Sequence, residues 1–307
     1  MGKFVIALVS LALLGASALV LLQARQKEMP TAAVERPVYC SDQGELTEVF
    51  TDLNQRFYCV KSDAKGRAFY PQSPSDYSFT VIDDRGEVVT DYVIAHTKLM
   101  HLIIVRKDLQ YFQHLHPEYD NASGLFRLKD LTFSAAGQYR IFADFVLSGQ
   151  ASQPQVPKSV ILHDDIAVGR SYQRQPLVSD ARTKTFDGYQ VTLATASPLV
   201  SGQINSLDFS IFQNGQLVTD LEEYLGTLGH SVILKGDTLG YLHTHPEDGL
   251  ADQTGTVSFP IVFPAGGLYK VFTQFQRSGR VLTTDFVVEV SQGAETPTSS
   301  DSDHAWH

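Results

Sequence analysis

The chain has 307 residues, of which 43% are hydrophobic and 19% are charged, so it is long enough for two domains and too apolar to be disordered throughout. Its formal net charge of −10 argues against a basic nucleic-acid-binding surface, and we expect no nucleic-acid partner. The chain contains only 2 cysteines, which excludes a disulfide-rich scaffold, a cysteine-based zinc knuckle and an iron–sulfur protein.

Residues 1–24 are predicted to be a targeting segment, because Lys3 precedes a nearly unbroken apolar run, Phe4–Leu22. The length of this run favours a signal anchor that stays in the membrane. A cleaved signal peptide is the alternative, since Ala16-Ser17-Ala18 offers a small-residue cleavage site. In both cases we expect the remaining chain outside the cytoplasm, either periplasmic or at the cell surface. If the run is retained, residues 4–22 would hold the chain at the inner membrane.

Residues 25–74 form an N-terminal extension that contains both cysteines and partly supplies the first strand of the next domain. In an oxidising compartment Cys40 and Cys59 are expected to form a structural disulfide, which would contribute about 3 kcal/mol through loop-closure entropy. The alternative is a soft metal-binding thiol pair, but it lacks the close C-x-x-C spacing of such sites.

The body of the chain consists of one sequence unit that occurs twice. With an offset of 129, residues 86–118 match residues 215–247, and the match resumes at offset 130 from Phe133 onward. Short aromatic and β-branched runs between glycine-containing turns predict an all-β fold, with no sustained helical pattern. Tyr139 and Tyr269 are similar to the corner tyrosine of immunoglobulin-like sandwiches. We therefore predict two tandem immunoglobulin-like β-sandwiches, residues 75–170 and residues 180–291. A disordered tail, residues 292–307, follows them.

Three histidines recur with identical spacing, H-x12-H-x-H-P, in the two repeats. Each set is predicted to lie on a hairpin with a four-residue loop, Lys107–Gln110 in the first repeat and Gly236–Leu239 in the second. In this register Ile103 faces His114, so the alternation of side chains places all three histidines of a repeat on one face. We expect this face to be the core side of the sandwich. The six residues are His101, His114, His116, His230, His243 and His245.

Three neutral imidazoles at one point are suitable ligands for a copper or zinc ion, which would be the cofactor. Glu118 and Glu247 follow the two motifs and could supply an outer hydrogen-bond acceptor or a fourth ligand. The alternative is that His-x-His-Pro is a hydrogen-bonded turn without metal; the recurrence of the motif raises the metal hypothesis to equal standing or slightly above it. Met100 alternates away from the histidine face and is discounted as a ligand, and His96 has no counterpart in the second repeat, where Leu225 stands.

The strings MHLIIV and FQHLHPE, with LGHSVIL and YLHTHPED in the second repeat, resemble a poorly characterised family of bacterial secreted or membrane-anchored proteins. The resemblance covers most of residues 75–290. It implies an immunoglobulin-like fold, an extracytoplasmic setting and a loose link to heavy-metal handling, copper in particular. The lipobox cysteine common in that family is missing, so anchoring would depend on residues 4–22.

The sequence thus predicts a metal-binding protein for storage, delivery or tolerance of copper or zinc, with one three-histidine site per sandwich. Its expected partners are metal-transport or other envelope proteins. The alternative is a structural or adhesion-type tandem module that binds no metal. We expect no enzymatic activity, because the chain carries no nucleophile elbow, P-loop, H-E-x-x-H or dinucleotide motif.

Overall fold

The computed structural model describes residues 57–148, 159–195, 198–246 and 255–294. The predicted targeting segment, Cys40 and residues 295–307 of the predicted tail lie outside these ranges, so the disulfide between Cys40 and Cys59 stays a prediction. Within the described ranges no helix is long and apolar enough to cross a membrane.

The first repeat consists of two antiparallel sheets. One has the strand order β1-β2-β7-β6, and the other has the order β3-β8-β4-β5 with β9 paired to β8. The strands are β1 (Tyr58–Ser62), β2 (Ser75–Asp83), β3 (Tyr92–Val93), β4 (His101–Arg106), β5 (Gln113–Leu115), β6 (Glu118–Asp120), β7 (Leu125–Leu131), β8 (Gly137–Leu147) and β9 (Val160–Val168).

The second repeat also consists of two sheets. One has the order β10-β11-β13-β14 with β17 paired to β13, and the other has the order β12-β19-β18-β15-β16. The strands are β10 (Thr183–Phe186), β11 (Tyr189–Thr195), β12 (Leu199–Val200), β13 (Ile204–Gln213), β14 (Gln216–Leu217), β15 (His230–Lys235), β16 (Tyr241–Thr244), β17 (Thr256–Val262), β18 (Gly267–Arg277) and β19 (Arg280–Ser291). The predicted all-β architecture with two repeated domains is confirmed.

Each repeat has its own hydrophobic core between its two sheets. Strands β7 and β13 alternate buried and more exposed residues, the pattern of a sheet with only one face on a core. The two predicted corner tyrosines, Tyr139 and Tyr269, are completely buried, and the hydroxyl of each donates a hydrogen bond to a backbone carbonyl four residues upstream. The distances are 2.9 Å from Tyr139 to Ala135 and 2.8 Å from Tyr269 to Ala265. These bonds remove the desolvation penalty of two buried hydroxyl groups.

The two repeats pack against each other through the sheets that carry the histidine hairpins. Strands β4 and β15 are buried on both faces along nearly their whole length, since one face lies on the sandwich core and the other on the opposite repeat. A separate apolar cluster fills this interface, and it draws on both repeats: Ile103, Val105, Leu109, Phe142, Val232, Leu234 and Phe272.

The contacts at this interface are reciprocal, as in a two-fold symmetric dimer. Phe112 stacks on Phe272 with ring centroids 4.3 Å apart, and Tyr241 packs on Phe142 at 5.0 Å. Phe112 and Tyr241 occupy equivalent positions in the two repeats, and so do Phe142 and Phe272. Each hairpin therefore rests on the central strand of the other repeat.

The expectation that the histidine face lines the core of each sandwich is wrong. Leu102 and Ile104 lie in the core of the first repeat, whereas Ile103 and Val105, which share a face with the histidines, lie in the interface cluster. Alternation correctly identifies which side chains share a face, but both faces of β4 are buried, so burial alone does not identify the core side.

Candidate metal centre

The hairpin register that the sequence predicts is confirmed in both repeats. Ile103 pairs with His114 between β4 and β5, and Val232 pairs with His243 between β15 and β16. The three histidines of each repeat consequently share one face, and each set offers one nitrogen per residue within 4.8 Å of the others. Both triads are therefore geometrically able to hold a metal ion.

The first triad consists of His101, His114 and His116, and its nitrogens converge on Nδ1 of His101. This atom is 3.0 Å from Nε2 of His114 and 3.2 Å from Nε2 of His116. A tetrahedral ion with metal–nitrogen bonds of about 2.0–2.1 Å requires nitrogens roughly 3.3 Å apart. The triad is thus a slightly contracted version of a metal-binding geometry.

The second triad repeats this arrangement with His230, His243 and His245. Nδ1 of His230 lies 3.2 Å from Nε2 of His243. The ring of His245 is 5.2 Å from that of His230 and 4.9 Å from that of His243, measured between centroids.

The outward nitrogens of the second triad determine which tautomers are present. His243 places Nδ1 2.8 Å from a carboxylate oxygen of Asp144, which can only accept, so a neutral His243 carries its proton there. His230 places Nε2 3.4 Å from the carbonyl oxygen of Leu225, also an acceptor. When His243 is neutral, the two nitrogens that face each other, Nδ1 of His230 and Nε2 of His243, therefore both carry lone pairs.

The same assignment holds in the first triad. Nε2 of His101 donates to the carbonyl oxygen of Ala95 at 3.1 Å, and Nδ1 of His114 donates to Oε1 of Gln274 at 2.7 Å. The facing nitrogens of His101 and His114 therefore also both carry lone pairs, and these two atoms are only 3.0 Å apart. Two facing lone pairs repel, and a cation between them converts that repulsion into two coordinate bonds.

Burial disfavours a proton as that cation, because a protonated imidazole is charged. It lowers the pKa of His101 to about 4 and the pKa of His116 to about 3, with His101 and Lys98 adding to the effect at His116. Burial also lowers the pKa of His245 to about 3, and it lowers the pKa of His114 and of His230 well below the usual range. These five imidazoles are therefore neutral at pH 7, the state in which their lone pairs are available to a metal.

Each triad is supported by a residue of the other repeat. Asp144 of β8 accepts hydrogen bonds from His243 and, at 2.9 Å, from the hydroxyl of Tyr241. Gln274 of β18 occupies the equivalent position and accepts from His114. Burial alone would raise the pKa of Asp144, but the hydrogen bonds from His243 and Tyr241 oppose it, and this pKa lies below its usual value.

The two triads lie side by side across the repeat interface. The rings of His101 and His230 are nearly parallel, with an interplanar angle of 26° and centroids 6.3 Å apart. His96 adds a seventh imidazole, since its ring centroid is 3.9 Å from that of His245. Nε2 of His245 is buried, and no hydrogen-bond partner for it is present in the described part of the chain.

The structure brings together all six histidines that the sequence singles out, but it does not bring the two glutamates to them. Glu118 points into solvent and forms an ion pair with Lys129 at 2.9 Å, so the predicted role of Glu118 at the site is wrong. Glu247 lies outside the described residues, and its role stays a prediction. Met100 is buried in the core of the first repeat, as expected from alternation.

Sequence reasoning missed Asp144, Gln274 and Tyr241, and it discounted His96. A signal for the first two was present, because each is a polar residue within an aromatic strand, in F-A-D-F and F-T-Q-F, at equivalent positions. Nothing in the sequence of one repeat indicates that its polar residue supports the histidine of the other.

A family model described as a domain of unknown function, DUF8832, matches the chain in two segments, residues 58–160 and 184–292. The two matches agree with the internal repeat. The comparison with curated proteins finds no match.

Among solved structures, a Salmonella α-2-macroglobulin reacted with methylamine is similar at 9% identity, covering 79% of this chain and 15% of that one, with a TM-score of 0.23. A marsupial T cell receptor is similar at 11% identity, covering 78% and 73%, with a TM-score of 0.23. Domains 4–9 of the surface layer protein SbsC are similar at 12% identity, covering 76% and 31%, also with a TM-score of 0.23. Scores this low carry no argument about fold or function.

Proposed function

Because the chain belongs to DUF8832, a family of unknown function, we propose from its own residues that it binds two transition-metal ions, one at each histidine triad. The observation that carries this proposal is the close approach of two ring nitrogens in each triad, 3.0 Å between His101 and His114 and 3.2 Å between His230 and His243. Neutral imidazoles that point lone pairs at one another within a buried site form a preorganised cation site.

Copper and zinc are the ions that fit this donor set best. Imidazole nitrogen suits both metals, and Cu²⁺ stands highest in the usual affinity order of divalent ions. The hydrogen bond from His243 to Asp144 is the carboxylate–histidine support that metal-ligating histidines generally have, because it orients the ring and raises its basicity.

We propose storage, delivery or tolerance of the metal outside the cytoplasm as the biological role. The apolar run Phe4–Leu22 supports the extracytoplasmic setting, and the lack of a recognised catalytic motif favours binding over catalysis. Envelope proteins that supply or receive metal are the partners this role would need.

Metal stoichiometry tests the proposal. The full chain, purified without a histidine tag, is stripped with a chelator, reloaded with Zn²⁺ or Cu²⁺, dialysed and measured by elemental analysis. We expect two equivalents per chain, falling to one in H114A/H116A and to one in H243A/H245A, because each pair removes two of the three ligands of one triad.

H304A/H307A is the matched control, since it removes the same number of histidines from the C-terminal tail. This variant is expected to keep two equivalents. If the wild-type chain retains no metal and the triad variants lose only thermal stability, the histidines hold the two repeats together and the metal proposal is wrong.

A further inference from the structure

The imidazole of His96 belongs to the first repeat but lies among the histidines of the second. Its ring centroid is 3.9 Å from that of His245, 5.1 Å from His230 and 5.9 Å from His243. From the first triad it approaches His101 at 6.2 Å. Three of these four ring contacts thus join His96 to the triad of the other repeat.

The turn that carries His96 is held in a conformation that favours this placement. His96 has φ of 47°, in the left-handed region, and Leu225 at the equivalent position has φ of 57°. Left-handed backbone at a residue other than glycine costs on the order of 1 kcal/mol and persists only where surrounding structure enforces it. The same turn geometry therefore occurs in both repeats, although only one of the two turns carries a histidine.

The two turns also touch each other at the repeat interface. A Cβ atom at Gly226 would lie 3.6 Å from the side chain of Thr97, so these two turn residues are neighbours. The ring of Tyr224 lies 6.4 Å from that of His114, which places the second turn beside the first triad. Each turn thus reaches the triad of the other repeat, and the reciprocal packing described above continues into the metal centre.

The two triads differ in what surrounds them. The second has His96 as an additional imidazole and the carboxylate of Asp144 behind His243. The first has Leu225 where an equivalent imidazole would stand, and the neutral amide of Gln274 behind His114. Only the second triad has a further imidazole at its side and a carboxylate that is hydrogen-bonded directly to one of its histidines.

We propose that His96 is the fourth ligand of the second site, so that His96, His230, His243 and His245 form a closed four-imidazole site built by both repeats. This inference rests on the proposed function. Closed four-ligand sites retain their metal, whereas three-ligand sites keep an open position for an exchangeable ligand. The second site would therefore hold its ion more tightly, and the first would be the site that exchanges its ion with a partner.

The experiment measures the zinc affinity of one site at a time in the full chain, by competition with a chromophoric chelator. H243A/H245A leaves only the first site, and H114A/H116A leaves only the second. H96A is then added to each background. H163A is the control, because His163 is a largely buried histidine of β9 that packs on Phe142 and belongs to neither triad.

We expect the second site to bind zinc at least about tenfold more tightly than the first, and H96A to abolish that difference by weakening the second site alone. H163A is expected to change neither affinity. L225H should strengthen the first site, since it supplies the imidazole that the first triad lacks. Circular dichroism of the metal-free variants is the check that each is folded.

The outcomes separate this inference from the proposed function. If the wild-type chain binds two zinc ions but H96A leaves the second site unchanged, or weakens both sites equally, His96 is not a ligand and only the inference fails. If neither site binds zinc in any background, the proposed function fails as well.

Discussion

Replacing Asp144 with Asn tests how one repeat supports the metal site of the other. The Asp144 side chain is 3% exposed and accepts hydrogen bonds from Nδ1 of His243 at 2.8 Å and from the hydroxyl of Tyr241 at 2.9 Å. D144N preserves the shape of the side chain but removes its charge and replaces one acceptor oxygen with an NH₂ group. The substitution therefore weakens the preference of His243 for the tautomer whose Nε2 lone pair faces the site.

The expected effect follows from the role of Asp144 as the outer partner of a ligating histidine. Loss of such a partner typically costs 10–100-fold in metal affinity, or about 1.4–2.7 kcal/mol. We place D144N at the upper end, because it removes a negative charge from a buried site as well as a tautomer constraint. The first site should weaken less, since Asp144 makes its hydrogen bonds to His243 and Tyr241 of the second repeat.

Zinc competition titrations on the two single-site backgrounds, H243A/H245A and H114A/H116A, measure the effect separately at each triad. Q274E makes the converse change, because it puts a carboxylate behind His114, and it is expected to strengthen the first site. Equal losses at both sites in D144N, or no loss at the second, would refute the assignment of Asp144 as a cross-repeat positioning residue.

Three further predictions concern stability and the repeat interface. D108N should lower the free energy of unfolding by about 3–5 kcal/mol, because Arg106 and Asp108 form a bidentate pair whose side chains are 6% and 0% exposed. D237N should lower it by less than about 1 kcal/mol, since the equivalent Asp237 is 65% exposed. Urea unfolding compares the two variants, and equal losses would contradict the buried-pair argument. Burial opposes ionisation of Asp108, but the pair with Arg106 holds the pKa of Asp108 below the usual value, so this pair stabilises the fold fully above the unfolded-state pKa of about 4. The difference in unfolding free energy between wild type and D108N should therefore shrink as the pH falls below about 4 toward the lowered folded-state pKa. A difference that is constant from pH 7 to pH 3 would contradict this pH dependence. F272A should lower the free energy of unfolding by about 3–5 kcal/mol and make the unfolding of the two repeats less cooperative in calorimetry, because Phe272 is 4% exposed and stacks on Phe112 of the other repeat. A single transition at an unchanged temperature would show that the stacked pair does not couple the two repeats.

Within each repeat, the sequence was sufficient to predict how the three histidines are arranged. The spacing between His101 and His114 permits a four-residue hairpin loop, and once Ile103 is opposite His114 the two-residue period of a strand puts all three rings on one face. These are local relations between residues at most fifteen positions apart in the chain. The recurrence of the motif then predicts the second triad without further information.

What the histidine face packs against was decided only by the tertiary structure. Strand β4 is buried on both sides, so its alternation is consistent with either face on the sandwich core. The actual contacts join residues far apart in sequence, such as His114 with Gln274 and Asp144 with His243. Whether two such faces pack together depends on the complementarity of whole surfaces, here the reciprocal aromatic stacking of the two repeats. A local sequence pattern does not predict this complementarity.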